Sequence, residues 1–288
     1  VGVEHYENFP VASVLCPAHI RPAVVAIYHF ARTADDIADE GQATAAQRLR
    51  DLAEYRRDLA LALSGDIADT RWPAVFKSLA SQVLRFRLPA APLHALLDAF
   101  EQDVHNPPYA DREQLLNYCR RSANPIGRLL LHLYGISDTT ALQRADAVCS
   151  ALQLINFWQD LSVDGPRGRL YVPQRDLQAH GLGAHQMLAC LDTPNTRALV
   201  ADLCTWAKTL MLHGAPLALT VPGRAGWELR LVVQGGLRIL EKIAAMDHAT
   251  MSKRPRLSAW DFPLLAWRAG RMQTLLKTAQ RGEKGRST

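Results

Sequence analysis

Apolar residues recur at three- and four-residue steps along most of this chain, the period of an α-helix with one buried face. Between Pro17 and Glu40 they fall at Val24, Ile27, Tyr28, Ala31, Ala34, Ile37 and Ala38. The same spacing predicts helices over about 44–63, 72–86, 91–106, 111–134, 138–163, 195–220, 225–248 and 261–279. Breakers separate the windows: Gly41, Pro73, Leu88-Pro89, Pro107-Pro108, Gly135, Gly165-Pro166, Pro222-Gly223 and Pro255. The best strand-like alternation is short, Arg169-Leu170-Tyr171-Val172. Linkers are short and no long repeat stands out. The expected architecture is all-α: one helical domain over 1–280 around a shared interior, then a polar, basic, frayed tail over 281–288.

Composition narrows the function classes. At 288 residues and 48% hydrophobic, the chain can bury a core without a disulfide or metal staple. Its five cysteines, Cys16, Cys119, Cys149, Cys190 and Cys204, are scattered, which predicts reduced thiols rather than a disulfide frame or zinc site. No run of about 18 uncharged apolar residues predicts a membrane span. Val1 to Tyr6 carries neither the basic nor the apolar segment of a signal peptide, so the expected location is cytoplasmic. The net charge of +5 hints at an acidic partner. It is unevenly spread: residues 251–288 hold nine Lys or Arg against Asp261 and Glu283, and the first 250 residues are slightly acidic. No zinc finger, RNA-recognition or helix-turn-helix signal accompanies it, so no nucleic-acid partner is expected. The basic end points instead to peripheral contact with anionic lipid on the inner membrane face.

Two acidic patterns carry candidate chemistry. In Arg32-Thr33-Ala34-Asp35-Asp36-Ile37-Ala38-Asp39, Asp35 and Asp39 lie one helical turn apart, roughly 6 Å along the axis, with Arg32 one turn earlier. Like charges at this spacing repel, and the C-terminal end of a helix disfavours them further. A hard cation such as Mg²⁺ would offset both costs and would also attract phosphate oxygens. A solvated acidic helix end would read the same way. The second pattern shifts the balance. Gln153, Asn156, Asp160 and Asp164 form one helical stripe inside a strongly apolar segment, and buried polar groups need partners. Facing aspartate helices would cage several Mg²⁺ ions around a diphosphate; an ordinary buried polar network is the competing reading. His29, His94, His105 and His132 make no metal-ligand spacing and are read as structural.

Asp-Asp-x-x-Asp and Asn-x-x-x-Asp-x-x-x-Asp, about 120 residues apart in a helical chain, resemble the squalene and phytoene synthases, the head-to-head prenyl synthase family. Further segments carry the resemblance from His5 to about Lys242. His5-x-x-x-Phe9 looks like the family's diphosphate-contacting N-terminal stretch. Asn117-Tyr118-Cys119-Arg120 looks like its Tyr-Cys segment, whose tyrosine is implicated in catalysis, and Arg167-Gly168-Arg169-Leu170-Tyr171-Val172-Pro173 looks like the segment after its second motif. Pro125, Gly127 and Gly135 fall where the family's helix bends beside the cavity. Glu7 to Ser13, Ser122 to Arg128, Asn156 to Asp160 and Val232 to Leu240 resemble the bacterial hydroxysqualene synthase branch in particular. One departure stands out: most squalene and phytoene synthases carry Arg where Gln159 stands, and a neutral amide changes the local charge.

The resemblance implies a helical bundle with a central cavity and an isoprenoid diphosphate as substrate. It implies Mg²⁺ on Asp35, Asp36, Asp39, Asn156, Asp160 and Asp164, with Asp35, Asp39, Asp160, Asp164 and Tyr118 taking part in catalysis. His5, Phe9, Arg32, Gln153, Asn156, Gln159, Arg167 and Arg169 would contact substrate. The implied reaction converts presqualene diphosphate and water to hydroxysqualene and diphosphate, without NADPH. Condensation of two prenyl diphosphates to presqualene diphosphate, squalene or phytoene is the alternative. A prenyl-synthase-like assembly factor without activity is the non-enzymatic one. Gly235-Gly236 within a predicted helix suggests either close approach to a long isoprenoid or a tight helix–helix contact.

Overall fold

The computed structural model describes residues 16–284; His5 and Phe9 lie outside the described residues. The helices in chain order are α1 (Arg21–Asp39), α2 (Ala45–Ser64), α3 (Pro73–Phe86), α4 (Ala90–Asp103), α5 (Arg112–Ser122), α6 (Asn124–Leu133) and α7 (Thr139–Gln159). They continue with α8 (Leu161–Asp164), α9 (Gln174–Ala179), α10 (Ala184–Leu188), α11 (Pro194–Gly214), α12 (Leu217–Thr220), α13 (Gly223–Ala245) and α14 (Asp261–Lys284). No strand occurs among the described residues, so the all-α expectation holds and Arg169 to Val172 is loop. None of the five cysteines, all among the described residues, is in a disulfide. No helix among the described residues is long and apolar enough to cross a membrane.

Three predicted windows are each divided; the one over 195–220 breaks at Ala215 and Pro216, between α11 and α12. The 111–134 window breaks at Ala123, between α5 and α6. Pro125 is the cause: it lacks an N–H and is seated in the first turn of α6, where no intrahelical donor is needed. The 138–163 window breaks at Asp160, between α7 and α8.

The described residues pack as two compact units. One comprises 16–107 and 116–142; the other comprises 108–115 and 143–284.

In the first unit α1 packs on α2, α3 and α4, and α4 packs on α6. The face of α1 toward them is Ala23, Ala26, Ile27, Phe30, Ala34 and Ala38, all buried. Four alanines permit close approach of neighbouring helices, and Phe30 fills the centre. Its ring stacks on Tyr55 at 5.5 Å and meets Phe76 edge-on at 6.1 Å. Tyr55 in turn contacts Phe76 at 4.7 Å and donates its O–H to the Phe30 carbonyl at 3.0 Å. Asp58 of α2 is fully buried and accepts from the backbone N–H groups of Arg71 and Trp72, at 2.6 and 3.3 Å, leading into α3. With α1 seated by this apolar face, Arg32, Asp35, Asp36 and Asp39 are carried on the opposite side.

In the second unit α11 packs on α13, and α13 on α12 and α14. Two glycines set close approaches to α7. A Cβ on Gly214 would stand 2.6 Å from the Arg144 carbonyl oxygen, and one on Gly236 would stand 2.8 Å from Met211 and 3.2 Å from Leu152. Gly236 therefore serves a tight helix–helix contact, the second of the two readings offered by the Gly235-Gly236 pair. Arg112, at the start of α5, bonds Asp176 of α9 and Asp202 of α11, at 2.6 and 2.7 Å.

Candidate active site

The first aspartate motif forms the last turn of α1. Arg32 reaches down the helix to Asp35 at 3.1 Å, Asp36 at 2.6 Å and Glu40 at 2.6 Å. One guanidinium thus offsets carboxylates that the helix C-terminus disfavours. Arg32, expected to hold phosphate, is held here by the aspartates. Asp35 and Asp36 keep 32% and 42% of their side-chain surface exposed, so both remain open to an incoming cation. Burial pushes the Asp36 carboxyl above its ordinary value and Arg32 opposes it.

Tyr118 of α5 is buried and donates its phenolic O–H to Asp103 Oδ2 at 2.9 Å. Asp103 ends α4. Its other oxygen is out of solvent contact and without a hydrogen bond. Burial pushes this carboxyl up to about 7; the Asp35 charge adds to the rise, and Tyr118 and Arg121 oppose it. The pair puts one proton between a phenol and a carboxyl. Sequence reasoning missed Asp103, because α4 and α5 are joined by a loop and no motif spans them.

Asp103 predicts a pH effect. The unfolded carboxyl titrates near its ordinary 3.8 and the folded one near 7, so the folded state holds the extra proton between them. The stability that this proton confers is complete below the unfolded value and is lost as pH rises through the folded one. In urea titrations, Asp103→Asn, which cannot ionise, should therefore gain relative to the wild type as pH rises from about 5 to 8. A pH-independent difference would assign Asp103 an ordinary carboxyl.

The second motif spans the break between α7 and α8. Along α7, Gln153 and Asn156 are half-buried between fully buried neighbours, as the predicted stripe requires. Asp160 leaves helical geometry, yet its N–H bonds the Asn156 carbonyl at 2.9 Å and its own carbonyl accepts from Asp164 at 2.9 Å. The stripe is therefore kept across two helices rather than one. The Asp164 carboxyl is pushed up to about 7 by burial and by the neighbouring Asp160 charge, against Arg167 and Arg254. Arg167 is exposed in the turn that follows, and the Arg169 N–H closes that turn on the Asp164 carbonyl at 3.0 Å. Tyr171 stacks flat on Phe157 at 3.8 Å, tying the Arg167 to Tyr171 segment to α7.

Arg254 is the second residue that sequence reasoning missed. It forks onto Asp160, with Nε on Oδ1 and Nη2 3.2 Å from Oδ2. Gln159 explains how it gets there. Its side chain is buried, and its amide donates to the Pro255 carbonyl at 2.7 Å, fastening the loop that carries Arg254. The neutral residue before Asp160 thus brings in a cation from almost a hundred positions along the chain. Only the basic cluster Lys253-Arg254-Pro255-Arg256 hinted at it.

The donors suit magnesium. They are hard carboxylate and amide oxygens, and a divalent cation would relieve both the desolvated Asp164 and the adjacent Asp160 charge. Among the described residues no three acidic, His or Cys side chains converge as a ready metal cage. Magnesium takes one or two carboxylates and completes its shell with water and phosphate oxygens.

The profile of the squalene/phytoene synthase family matches residues 3–261. The chain belongs to that family. A hydroxysqualene synthase of Rhodopseudomonas palustris is 33% identical over 270 residues, 91% of this chain and 87% of that protein. A phytoene synthase of Thermus thermophilus is 30% identical over 274 residues, with the same shares. The crystal structure of squalene synthase HpnC from Alicyclobacillus acidocaldarius superposes with a TM-score of 0.77 at 35% identity, covering 85% of this chain and 90% of that one. The squalene/phytoene synthase fold expected from the paired aspartate motifs is therefore present, and the chain is an isoprenoid synthase.

Proposed function

We propose that this synthase converts presqualene diphosphate and water to hydroxysqualene and diphosphate. The observation that carries the proposal is its 33% identity, across nine-tenths of the chain, to a hydroxysqualene synthase. The second motif supports it: a neutral Gln159 is buried before Asp160, and the positive charge there comes from Arg254.

Asp35, Asp36 and Asp39, and also Asn156, Asp160 and Asp164, would hold magnesium; when bound it neutralises the diphosphate as that group leaves. Arg32, Arg167, Arg169 and Arg254 supply guanidinium N–H groups for phosphate oxygens. Ionisation breaks the carbon–oxygen bond, and its electron pair leaves with the diphosphate. The cyclopropylcarbinyl cation rearranges, a water oxygen donates a pair to it, and the added water loses a proton. No electrons are taken from a reductant, so the balance needs no NADPH. Tyr118 Oη, which bonds Asp103, would hold a proton or face a cation.

Product analysis tests this. With Mg²⁺ and presqualene diphosphate, the expected product is the C30 alcohol, in the same yield with or without NADPH. Turnover of farnesyl diphosphate with presqualene diphosphate left untouched would show the condensing reaction instead.

A further inference from the structure

The start of α14 presents to solvent a face that most proteins bury. Successive exposed positions on one side of that helix are Phe262, Pro263, Ala266, Trp267 and Gly270, with no polar side chain among them. Trp260, just before the helix, is 90% exposed; Phe262 is 64% and Trp267 54% exposed. Trp227 of α13, 44% exposed, extends the patch, its ring edge 3.6 Å from where a Gly270 Cβ would lie. Three tryptophans and a phenylalanine thus share one surface. Isolated exposed apolar residues are ordinary, but a contiguous aromatic patch marks an interaction surface.

The backbone beneath the patch is firmly held. Asp261 is buried, pairs with Lys242 at 2.7 Å and Arg238 at 2.8 Å, and accepts from the Ser258 N–H at 2.7 Å. The Lys242, Arg238 and Ser258 bonds hold its carboxyl well below the usual range against the opposing cost of burial. The surrounding charge is basic. Arg271 is exposed and stacks on Trp267 at 5.4 Å; Arg230 stacks on Trp227 at 5.2 Å; Arg224 is exposed one turn before Trp227. Two acids lie on α13: Glu228, half-buried beside Trp227, and Glu241, which is bonded by Arg238 and Arg268, so the arginines outnumber the acids around the patch. Aromatic rings at headgroup depth with a rim of arginines match an anionic bilayer surface.

We infer that Trp260, Phe262, Trp267 and Trp227, rimmed by Arg224, Arg230 and Arg271, seat this synthase on an anionic lipid surface. The partner is a bilayer rather than a protein because indole rings and arginines together meet its two layers, acyl boundary and phosphate. Isoprenoid diphosphates are amphiphiles that dissolve in the same layer. The inference stands on this surface alone and is independent of which reaction the synthase performs. It relocates the lipid contact expected from the basic C-terminus: the ordered start of α14 supplies the anchors.

The test is co-sedimentation of the full chain with vesicles of phosphatidylcholine alone, or of an equal mixture with phosphatidylglycerol. The expected result is binding to the mixed vesicles, weakened by salt and accompanied by a blue shift of tryptophan emission. Trp260→Ser with Trp267→Ser should lower that binding at least about tenfold while leaving the helical circular dichroism unchanged. Arg224→Gln with Arg271→Gln should remove the preference for the mixed vesicles. Wild-type protein that stays in the supernatant, or serine variants that bind equally, would overturn the inference. So would light scattering that shows a dimer lost in the serine variants with no vesicle binding, which would make the patch a contact between copies.

Discussion

Replacing Asp160 with alanine is expected to lower kcat/KM by about a thousandfold, near 4 kcal/mol of transition-state stabilisation. The residue sits where α7 gives way to α8, one turn from both Asn156 and Asp164, and its carboxylate takes the forked pair of bonds from Arg254. Removing it takes away a proposed oxygen ligand and a negative charge next to Asp164. It also leaves the Arg254 guanidinium, only 18% exposed, without that partner, so the alanine variant should lose stability as well. Asp160→Asn separates the effects. It keeps the shape and one neutral acceptor for Arg254 but removes the negative charge, so stability should largely return while turnover does not. Asp35→Ala should cost a comparable factor. If both motifs serve one turnover, the double variant should fall little below either single variant, because residues that act as a unit are not additive. Single-turnover assays on presqualene diphosphate across a Mg²⁺ series give the answer. Wild-type rates in either alanine variant would overturn a metal role for these carboxylates.

Phe76→Ala is expected to destabilise the protein by about 3–5 kcal/mol, the range for emptying a fully buried aromatic site. Phe76 is completely buried and touches both Phe30 and Tyr55, so its loss opens the centre of the first unit rather than its edge. Phe30 lies little more than one turn before Asp35 on α1. The cavity should therefore loosen the helix that carries the first aspartate motif, and turnover should fall more steeply with temperature than in the wild type. Phe76→Leu, which retains most of the volume, should cost far less. Urea denaturation with an unchanged slope measures both variants; a loss under about 1 kcal/mol for Phe76→Ala would mean that the site collapses around the gap.

Much of this architecture was legible in the chain. The windows of helical period coincide with α1 to α4, α7, α11, α13 and α14 to within a few residues, because each long helix must bury one stripe and the stripe repeats every turn. The divided windows were harder. Pro125 announced a bend but not a full stop, since a proline in a first turn and one in a helix interior are written with the same letter. At Asp160 no breaker marks the end of α7; the turn arises in the folded chain, where Arg254 and the close approach of α10 at Gly165 hold the following residues. α9 and α10, too short to show a full period, went unseen.

The candidate site divides along the same line. Asp35, Asp36 and Asp39 could be found because their spacing is local, and so could Gln153, Asn156, Asp160 and Asp164. Asp103 and Arg254 could not. Each acts through a partner 15 or 94 positions away, and single-sequence spacing carries no record of such pairs. Gln159 shows the limit from the other side. Its type marks a neutral group beside Asp160, but its bond to Pro255, which brings a cation back, exists only after folding.

By itself, the sequence determined the helical class, the faces that each helix buries, the two aspartate motifs and the surplus of positive charge at the C-terminal end. Those are properties of short-range order: residue type and the period of one helix settle them. Tertiary structure decided which proton donor meets Asp103, which guanidinium meets Asp160, that Gly236 packs a helix, and that Trp260, Phe262 and Trp267 stay in water while equally apolar residues are buried. Burial and pairing depend on what arrives from elsewhere in the chain, and only the packed molecule brings those groups within bonding distance.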